Sequence, residues 1–176
     1  MRRIRYAVAM SLDGFIAGPQ GEYDWIEGDP AEAEAYFKAF YAEFDTCLMG
    51  RRSFELVRGP FQGMRTFVLS RTLAPDAHKD VTILGDEGLT RVAELRGEPG
   101  KDIWLFGGGL LFGSLASAGL VDTVEVSIMP VLLGSGIPLM AGADGRVKLK
   151  LVRTDAASFA GVIGLVYSVE NRRPPL

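Results

Sequence analysis

The hydrophobic residues of this chain fall into short runs whose spacing changes from that of strands to that of helices and back. From Arg3 to Met10 every second side chain is large and apolar, and this period of two predicts a strand. Residues 103–106 are four bulky apolar residues without alternation, and three glycines follow them directly. Such an unbroken run is typical of a strand that is buried on both faces in the middle of a parallel sheet.

The remaining runs continue this pattern along the chain. Apolar residues at helical spacing, ended by glycine, predict helices over 89–95 and 110–118, and a shorter helix begins after Gly50. The last two predicted strands are expected to be antiparallel, because their connection is too short for a crossover helix. Strands that alternate with helices predict a single α/β domain over residues 1–176. The further predicted strands are 45–49, 65–72, 81–84, 124–128, 149–152 and 162–170.

A longer helix is predicted to begin at Asp29, which suits the N-cap position. Pro30 then suits the first helical position and Glu32 completes a capping box. Aromatic residues recur along this helix at spacings of one, three or four, so they share one face. Such a stripe is usually part of the core, and part of it is also suited to line a pocket for a planar substrate. The stripe comprises Tyr36, Phe37, Phe40, Tyr41 and Phe44.

Three predicted strands end in residues that suit phosphate groups. A guanidinium donates two parallel hydrogen bonds to a phosphate, and glycine lets backbone N–H groups approach one closely. In an open α/β sheet, ligands bind at the carboxyl ends of the strands, so the three turns together predict a site for a dinucleotide with an additional phosphate. Each turn alone is equally consistent with a tight turn or with polar surface residues. The turns are Gly50-Arg51-Arg52-Ser53, Ser70-Arg71-Thr72 and Gly107-Gly108-Gly109.

Residues Phe15 to Ala17 form a short apolar island between two turns that contain glycine. The island is suited to be a lid over a bound ring, and it is equally suited to be a hairpin-like excursion with a buried anchor. Nearby, Ala7 and Ala9 lie on one face of the first strand. These small side chains leave room for a flat ring, although packing against a helix explains them equally well.

Composition and charge narrow the function classes. The chain is 48% hydrophobic and 23% charged, with a net charge of −3, which argues against a general nucleic-acid binder. No apolar run approaches the ~20 residues that a membrane span needs, so we expect a cytoplasmic protein without membrane contact. The single cysteine, Cys47, is expected to be an inert core thiol, and the single histidine, His78, a surface residue. We therefore expect no metal site.

Six short motifs, in this order and at this spacing, resemble the dihydrofolate reductase superfamily. The chain is most similar to stand-alone domains that resemble the reductase half of the bifunctional riboflavin-biosynthesis deaminase-reductase. The deaminase half has no counterpart here, because its zinc ligands need more than one cysteine. The resemblance implies a mostly parallel central sheet with an antiparallel C-terminal edge and helices on both faces. The motifs are residues 9–17, 24–26, 49–55, 68–71, 106–109 and 130–136.

The resemblance also implies NADPH and the residues that bind it. The loop Ile16, Ala17 and Gly18 would cover the nicotinamide. Arginines in the predicted phosphate turns favour the 2′-phosphorylated cofactor over NADH, since an acidic residue is expected beside a bare ribose. The adenosine phosphate and the pyrophosphate would be held by Gly50, Arg51, Arg52, Ser53, Ser70, Arg71 and Thr72, and the pyrophosphate also by Gly107, Gly108, Gly109, Leu110 and Leu111.

The substrate implied by the resemblance is a pterin or an amino-pyrimidine, as in dihydrofolate reductase or in 5-amino-6-(5-phosphoribosylamino)uracil reductase. Riboflavin-pathway reductases tend to carry a lysine and an acid where this chain has Ala7 and Phe106. Candidate catalytic acids are Glu32 and Glu34. The expected function is an NADPH-dependent reductase in riboflavin or folate metabolism, acting as a homodimer, and the alternative is a non-catalytic domain that binds or senses NADPH. The substrate pocket is expected to contain Ala9, Trp25, Phe37 and Phe106.

Overall fold

A computed structural model describes residues 1–26, 30–76, 78–156 and 161–170 of the chain. Strands and helices alternate through the middle of the described part, and the last strands follow one another without a helix. The strands are β1 (Ile4–Ser11), β2 (Phe15–Ala17), β3 (Phe44–Gly50), β4 (Arg65–Leu69), β5 (Thr82–Leu84), β6 (Asp102–Gly107), β7 (Thr123–Met129), β8 (Ile137–Pro138), β9 (Leu149–Ala156) and β10 (Ile163–Val169). The helices are α1 (Pro30–Tyr41), α2 (Arg51–Val57), α3 (Gly88–Leu95) and α4 (Gly109–Ser117).

Eight strands form one sheet in the order β5-β4-β3-β6-β1-β7-β10-β9. The first six are parallel, and β10 is antiparallel to both of its neighbours. The predicted mostly parallel sheet with an antiparallel C-terminal edge is therefore confirmed. Strand β6 lies between β3 and β1, and its side chains Ile103, Trp104 and Leu105 are buried, as the unbroken apolar run predicts.

Helices cover both faces of the sheet, as expected. On one face α3 and α4 bury Val92, Leu95 and Leu115 completely against the sheet. On the other face α2 buries Phe54, and Phe40 and Tyr41 of α1 pack near Trp104 of β6. Each fully buried aliphatic side chain stabilises the fold by roughly 1.5–3 kcal/mol. These two apolar layers hold the parallel strands in register, and so they fix which strand ends lie together.

Two local predictions differ from the structure. Phe44, assigned to the aromatic stripe of the helix, is the first residue of β3, because α1 ends at Tyr41 and Phe44 pairs with Asp102 of β6. The ring of Phe44 still lies 4.8 Å from that of Phe40, so contacts between aromatic rings continue beyond the end of the helix. The region 134–138, interpreted as a loop, contains β8, which pairs with β2. The predicted N-cap Asp29 lies outside the described residues.

Among the described residues, none of the helices combines the length and the hydrophobicity that a membrane span requires. The same residues contain no group of three or more histidine, cysteine, aspartate or glutamate side chains arranged to hold a metal ion. His78 is exposed, and its ring lies 4.7 Å from that of Phe54.

Two buried groups lead us to expect a loss of stability at alkaline pH. Burial raises the pKa of the Cys47 thiol and that of the Tyr6 hydroxyl above their ordinary values of about 8.5 and 10. Their contribution is therefore fully present below the unfolded-state pKa values, and it declines as the pH rises from those values to the higher folded-state values. We expect the free energy of unfolding to be about 2 kcal/mol lower at pH 10 than at pH 8, mostly because of Cys47.

Denaturant titrations at the two pH values measure this difference, and the Cys47→Ala variant is the matched control. This variant should lose most of the pH dependence between pH 8 and pH 10. An equal loss of stability in the variant and the parent protein would show that other groups are responsible.

Candidate active site

The three predicted phosphate turns lie side by side at the end of the sheet where the parallel strands have their carboxyl ends. Strands β4, β3 and β6 are neighbours, and they run in the same direction. Gly50 pairs with Leu69, and Met49 pairs with Gly107, so the ends of the three strands are level with one another. The sheet therefore brings the turns that follow Met49, Leu69 and Phe106 to a common rim.

The turns after β3 and β4 form one polar cluster. Arg51 donates a hydrogen bond from Nη1 to the hydroxyl oxygen of Thr72 at 3.1 Å. The hydroxyl oxygen of Ser70 accepts the backbone N–H of Thr72 at 3.2 Å and that of Leu73 at 3.1 Å. Arg52 and Arg71 are also exposed in these turns. The cluster presents cationic and hydroxyl donors to solvent, which is the donor chemistry that a phosphate monoester requires.

Gly108 lies at the centre of the glycine turn. It is the N-cap of α4 with an extended backbone, and no side chain caps the first N–H groups of the helix. A Cβ at Gly108 would lie 3.8 Å from Cδ1 of Ile16 and 3.8 Å from the hydroxyl oxygen of Ser53. The preceding residue, Gly107, has φ of +125°, which L side chains rarely adopt. Uncapped N–H groups behind a residue without a side chain are suited to bind an anion at a helix N-terminus.

The third glycine of the turn serves the packing of the protein itself. A Cβ at Gly109 would overlap the carbonyl oxygen of Pro138, and Gly109 accepts a hydrogen bond from the N–H of Ala141 at 3.1 Å. Leu111 is buried in the core, whereas the side chain of Leu110 is 64% exposed. Only part of the turn therefore faces the rim of the sheet, and the glycine pattern alone does not distinguish the two roles.

The segment Phe15–Ala17 forms a strand with half-buried side chains, which is consistent with both the lid and the excursion that the sequence left open. Phe15 pairs with Pro138 and Ala17 pairs with Ile137. Gly18, which follows, is buried, and its N–H donates to the carbonyl oxygen of Glu22 at 2.8 Å. The segment still borders the glycine turn, because the side chain of Ile16 contacts the space in front of Gly108.

Two of the four expected substrate-pocket residues belong to one aromatic cluster. The ring of Phe106 lies 5.2 Å from both Trp104 and Phe61, and that of Phe37 lies 5.6 Å from Tyr41. Tyr41 lies 5.9 Å from Phe61 and 5.5 Å from Trp104, and so it joins the two pairs. The aromatic cluster comprises Phe37, Tyr41, Phe61, Trp104 and Phe106.

Phe61 was not recognised in the sequence, because it lies in the connection between α2 and β4 and outside every periodic pattern. Ala9 lies on β1 opposite Ser127 of β7, and Trp25 donates from Nε1 to the carbonyl oxygen of Glu22 at 3.1 Å. Of the candidate acids, Glu34 is exposed on α1, and the side chain of Glu32 lies outside the described part of the structure. These positions do not assign a catalytic role to either glutamate.

At the amino end of the parallel strands, a hollow of about 420 Å³ is lined by charged residues that already take part in ion pairs. Nε of Arg5 lies 2.6 Å from a carboxylate oxygen of Glu125, and Arg5 also pairs with Glu43. Arg3 donates from Nε to Asp102 at 2.9 Å. Burial acts to raise the pKa of Asp102, but the hydrogen bonds and charge of Arg3 outweigh it and hold that pKa below its usual range. These charges are already paired, so the rim at the carboxyl ends is the better candidate.

Comparison with known proteins supports the resemblance that the sequence indicated. Residues 2–159 match the family described as the RibD C-terminal domain. The chain belongs to this family. The resemblance that the short motifs indicated is thereby confirmed, and so is the fold class. The RibD C-terminal domain family and the fold support a reductase-type function.

Relatives of this RibD C-terminal domain protein include the uncharacterized protein YyaP of Bacillus subtilis (strain 168). The two are 37% identical over an alignment of 183 residues, gaps included, which covers 94% of each chain. The riboflavin biosynthesis protein RibD of Corynebacterium ammoniagenes is 30% identical over 152 residues, spanning 76% of this chain and 44% of RibD. Dihydrofolate reductase of Enterococcus faecalis, solved in complex with NADP(H), has the same fold, with a TM-score of 0.72 at 18% identity over 96% of this chain and 97% of that one.

Proposed function

We propose that this RibD C-terminal domain protein is an NADPH-dependent reductase that transfers a hydride to a pterin or to an amino-pyrimidine. The observation that carries the proposal is the convergence of three strand ends on one rim. Two of them carry hydrogen-bond donors that suit a phosphate, and the third is followed by an uncapped helix. Its family and the NADP(H) bound by a dihydrofolate reductase of the same fold support the choice of cofactor.

The donor chemistry of the rim fits this cofactor. Arg51, Arg52 and Arg71, with the hydroxyl groups of Ser70 and Thr72, would hold the adenosine phosphate. The N–H groups that begin α4, together with Gly50 and Ser53, would hold the pyrophosphate. Ile16, Ala17 and Gly18 would cover the nicotinamide. When bound, NADPH supplies a hydride, and the protein supplies position and exclusion of water.

The aromatic cluster is the proposed wall of the substrate site. One member of the cluster, Phe106, directly precedes the glycine turn, and so the cluster lies next to the proposed cofactor rim. Offset stacking of a planar heterocycle on such rings contributes roughly 0.5–1.5 kcal/mol per pair beyond the burial of area. Ala9 would leave room for the ring. No side chain in this arrangement selects between a pterin and a pyrimidine, so both substrate classes are part of the proposal.

Stopped-flow measurement of NADPH oxidation tests the proposal. The protein loaded with one equivalent of NADPH is mixed in turn with dihydropterins, dihydrofolate and the deaminated amino-pyrimidine ribotide. We expect at least one of these compounds to oxidise the bound NADPH in a single turnover. If NADPH binds and none of them oxidises it, the result contradicts the reductase and supports the alternative of a non-catalytic NADPH-binding or sensing domain.

The homodimer and the cytoplasmic location stay predictions. Strand β7, whose partly apolar outer face would suit such pairing, lies inside the sheet between β1 and β10. Its backbone is therefore already paired on both sides, and a second copy could approach it only across its face. Exposed apolar side chains at the antiparallel edge are Leu149, Leu151, Val152 and Ile163.

A further inference from the structure

Asp13 makes more hydrogen bonds than an exposed turn residue needs. One carboxylate oxygen, Oδ1, accepts from the hydroxyl of Ser11 at 2.6 Å and from the N–H of Leu133 at 3.1 Å. The other, Oδ2, accepts from the N–H of Gly134 at 2.7 Å. The hydrogen bond from Ser11 and those from the two N–H groups hold the pKa of Asp13 below its usual range, although desolvation acts in the opposite direction. Asp13 therefore joins the turn after β1 to a segment 120 residues away.

Ser11 extends this connection to the beginning of β2. Its hydroxyl oxygen accepts the backbone N–H of Phe15 at 3.0 Å, while its hydroxyl proton is donated to Asp13. Ser11 is completely buried, so the orientation of its hydroxyl is fixed by these two partners. The carboxylate of Asp13 thus acts on the position of Phe15 through one intervening hydroxyl group.

Residues 131–141, here called the strap, run beside residues 12–18, here called the lid. Leu12 donates from its N–H to the carbonyl oxygen of Val131 at 2.9 Å, and Leu139 donates to Gly14 at 3.0 Å. Strands β2 and β8 pair directly beside the second of these contacts. A Cβ at Gly136 would overlap the carbonyl oxygen of Ala17. The lid and the strap are therefore in contact from one end to the other.

The other side of the strap contacts the first turns of α4. The hydroxyl of Tyr6 donates to the carbonyl oxygen of Leu139 at 3.0 Å, and the N–H of Ala141 donates to Gly109 at 3.1 Å. Gly109 and Gly113 leave room for the carbonyl groups of the strap. One segment thus supports both the lid and the helix whose N-terminus lies at the rim.

We infer that Asp13 is a positioning residue that holds the lid and the strap together as one unit, and thereby places Ile16 beside the glycine turn. The inference rests on the proposed cofactor. An ionised carboxylate accepts at both oxygens, whereas an asparagine has one acceptor oxygen and directs an NH₂ group at the other backbone N–H. Asp13→Asn therefore keeps the shape of the side chain and removes one of the two connections to the strap.

Hydrogen exchange by mass spectrometry, with and without NADPH, tests the inference on the parent protein, on Asp13→Asn and on Asp155→Asn. Asp155 is a matched control, because within the described residues its exposed carboxylate on β9 accepts one hydrogen bond, from Arg153 at 2.7 Å. In Asp13→Asn we expect exchange about tenfold faster at Phe15, Leu133 and Gly134, with exchange in β6 unchanged. NADPH should slow exchange in both the lid and the strap of the parent protein, and only in the lid of the variant. We also expect about a tenfold weaker affinity for NADPH.

Unchanged exchange in the lid and the strap of Asp13→Asn would overturn the inference, and so would faster exchange throughout the variant, which would indicate a general loss of stability. If NADPH fails to bind the parent protein, the proposed function is contradicted. The exchange rates without NADPH then still decide whether Asp13 holds the two segments together, so the two failures are distinguishable.

Discussion

Gly113→Ala is expected to lower the free energy of unfolding by about 2 kcal/mol. A Cβ at this position would overlap the carbonyl oxygen of Ala141, which belongs to the strap. Ala141 is held by its own hydrogen bond to Gly109, so the strap cannot retreat without losing that bond. Overpacking of this kind costs up to about 3 kcal/mol, and the better helix propensity of alanine returns only about 1 kcal/mol.

Thermal and denaturant unfolding measure this effect, and for a chain of this size the melting temperature should fall by roughly 4–8 °C. Gly59→Ala is the matched control, because a Cβ at Gly59 meets no atom within 4 Å and this glycine does not require a positive φ. The control is expected to be neutral or slightly stabilising. A Gly113→Ala variant as stable as the control would show that the strap does not pack on α4 as described.

Replacing both Arg51 and Arg71 by alanine is expected to weaken the affinity for NADPH about a hundredfold and to leave the affinity for NADH nearly unchanged. A hydrogen bond to a charged group contributes roughly 1.5–3 kcal/mol, and a hundredfold change corresponds to about 2.7 kcal/mol. Arg51 already shares a hydrogen bond with Thr72, so its guanidinium is oriented at the proposed phosphate position. NADH lacks the phosphate that these side chains would bind.

Calorimetric titration of each cofactor measures the two affinities. Arg153→Ala is the control, because Arg153 is also exposed but lies on β9 at the antiparallel edge, in an ion pair with Asp155. Both affinities should be unchanged in this control. An equal loss of NADPH and NADH affinity in the double variant would contradict the assignment of these arginines to the adenosine phosphate.

Local periodicity and turn chemistry were sufficient to predict the strands and helices that alternate, because those signals lie within a few neighbouring residues. Strand β6 is the clearest case, since four apolar residues in succession require burial on both faces. The convergence of the strand ends at Gly50, Ser70 and Gly107 also followed, because parallel strands place their carboxyl ends on one edge. Phe44 was misassigned because an aromatic residue three or four positions beyond Tyr41 or Phe40 fits a helix as well as a new strand.

Contacts between distant segments could not be predicted in this way. Strand β8 has only two residues, and it is a strand because it pairs with β2, about 120 residues earlier in the chain. The glycines at 109 and 113 look like ordinary turn and helix residues in the sequence. Only the position of the strap explains why these positions have no room for a side chain. The turn Ser11-Leu12-Asp13-Gly14 signals a tight bend, but nothing in it indicates that the carboxylate binds the strap.

A crystal structure of the protein with NADPH tests most directly whether the three strand ends form one cofactor site. The account predicts the pyrophosphate within hydrogen-bonding distance of the N–H groups that begin α4, and the adenosine phosphate beside Arg51 and Thr72. A cofactor bound instead in the hollow beside Arg3 and Arg5, or none bound at a saturating concentration, would contradict it.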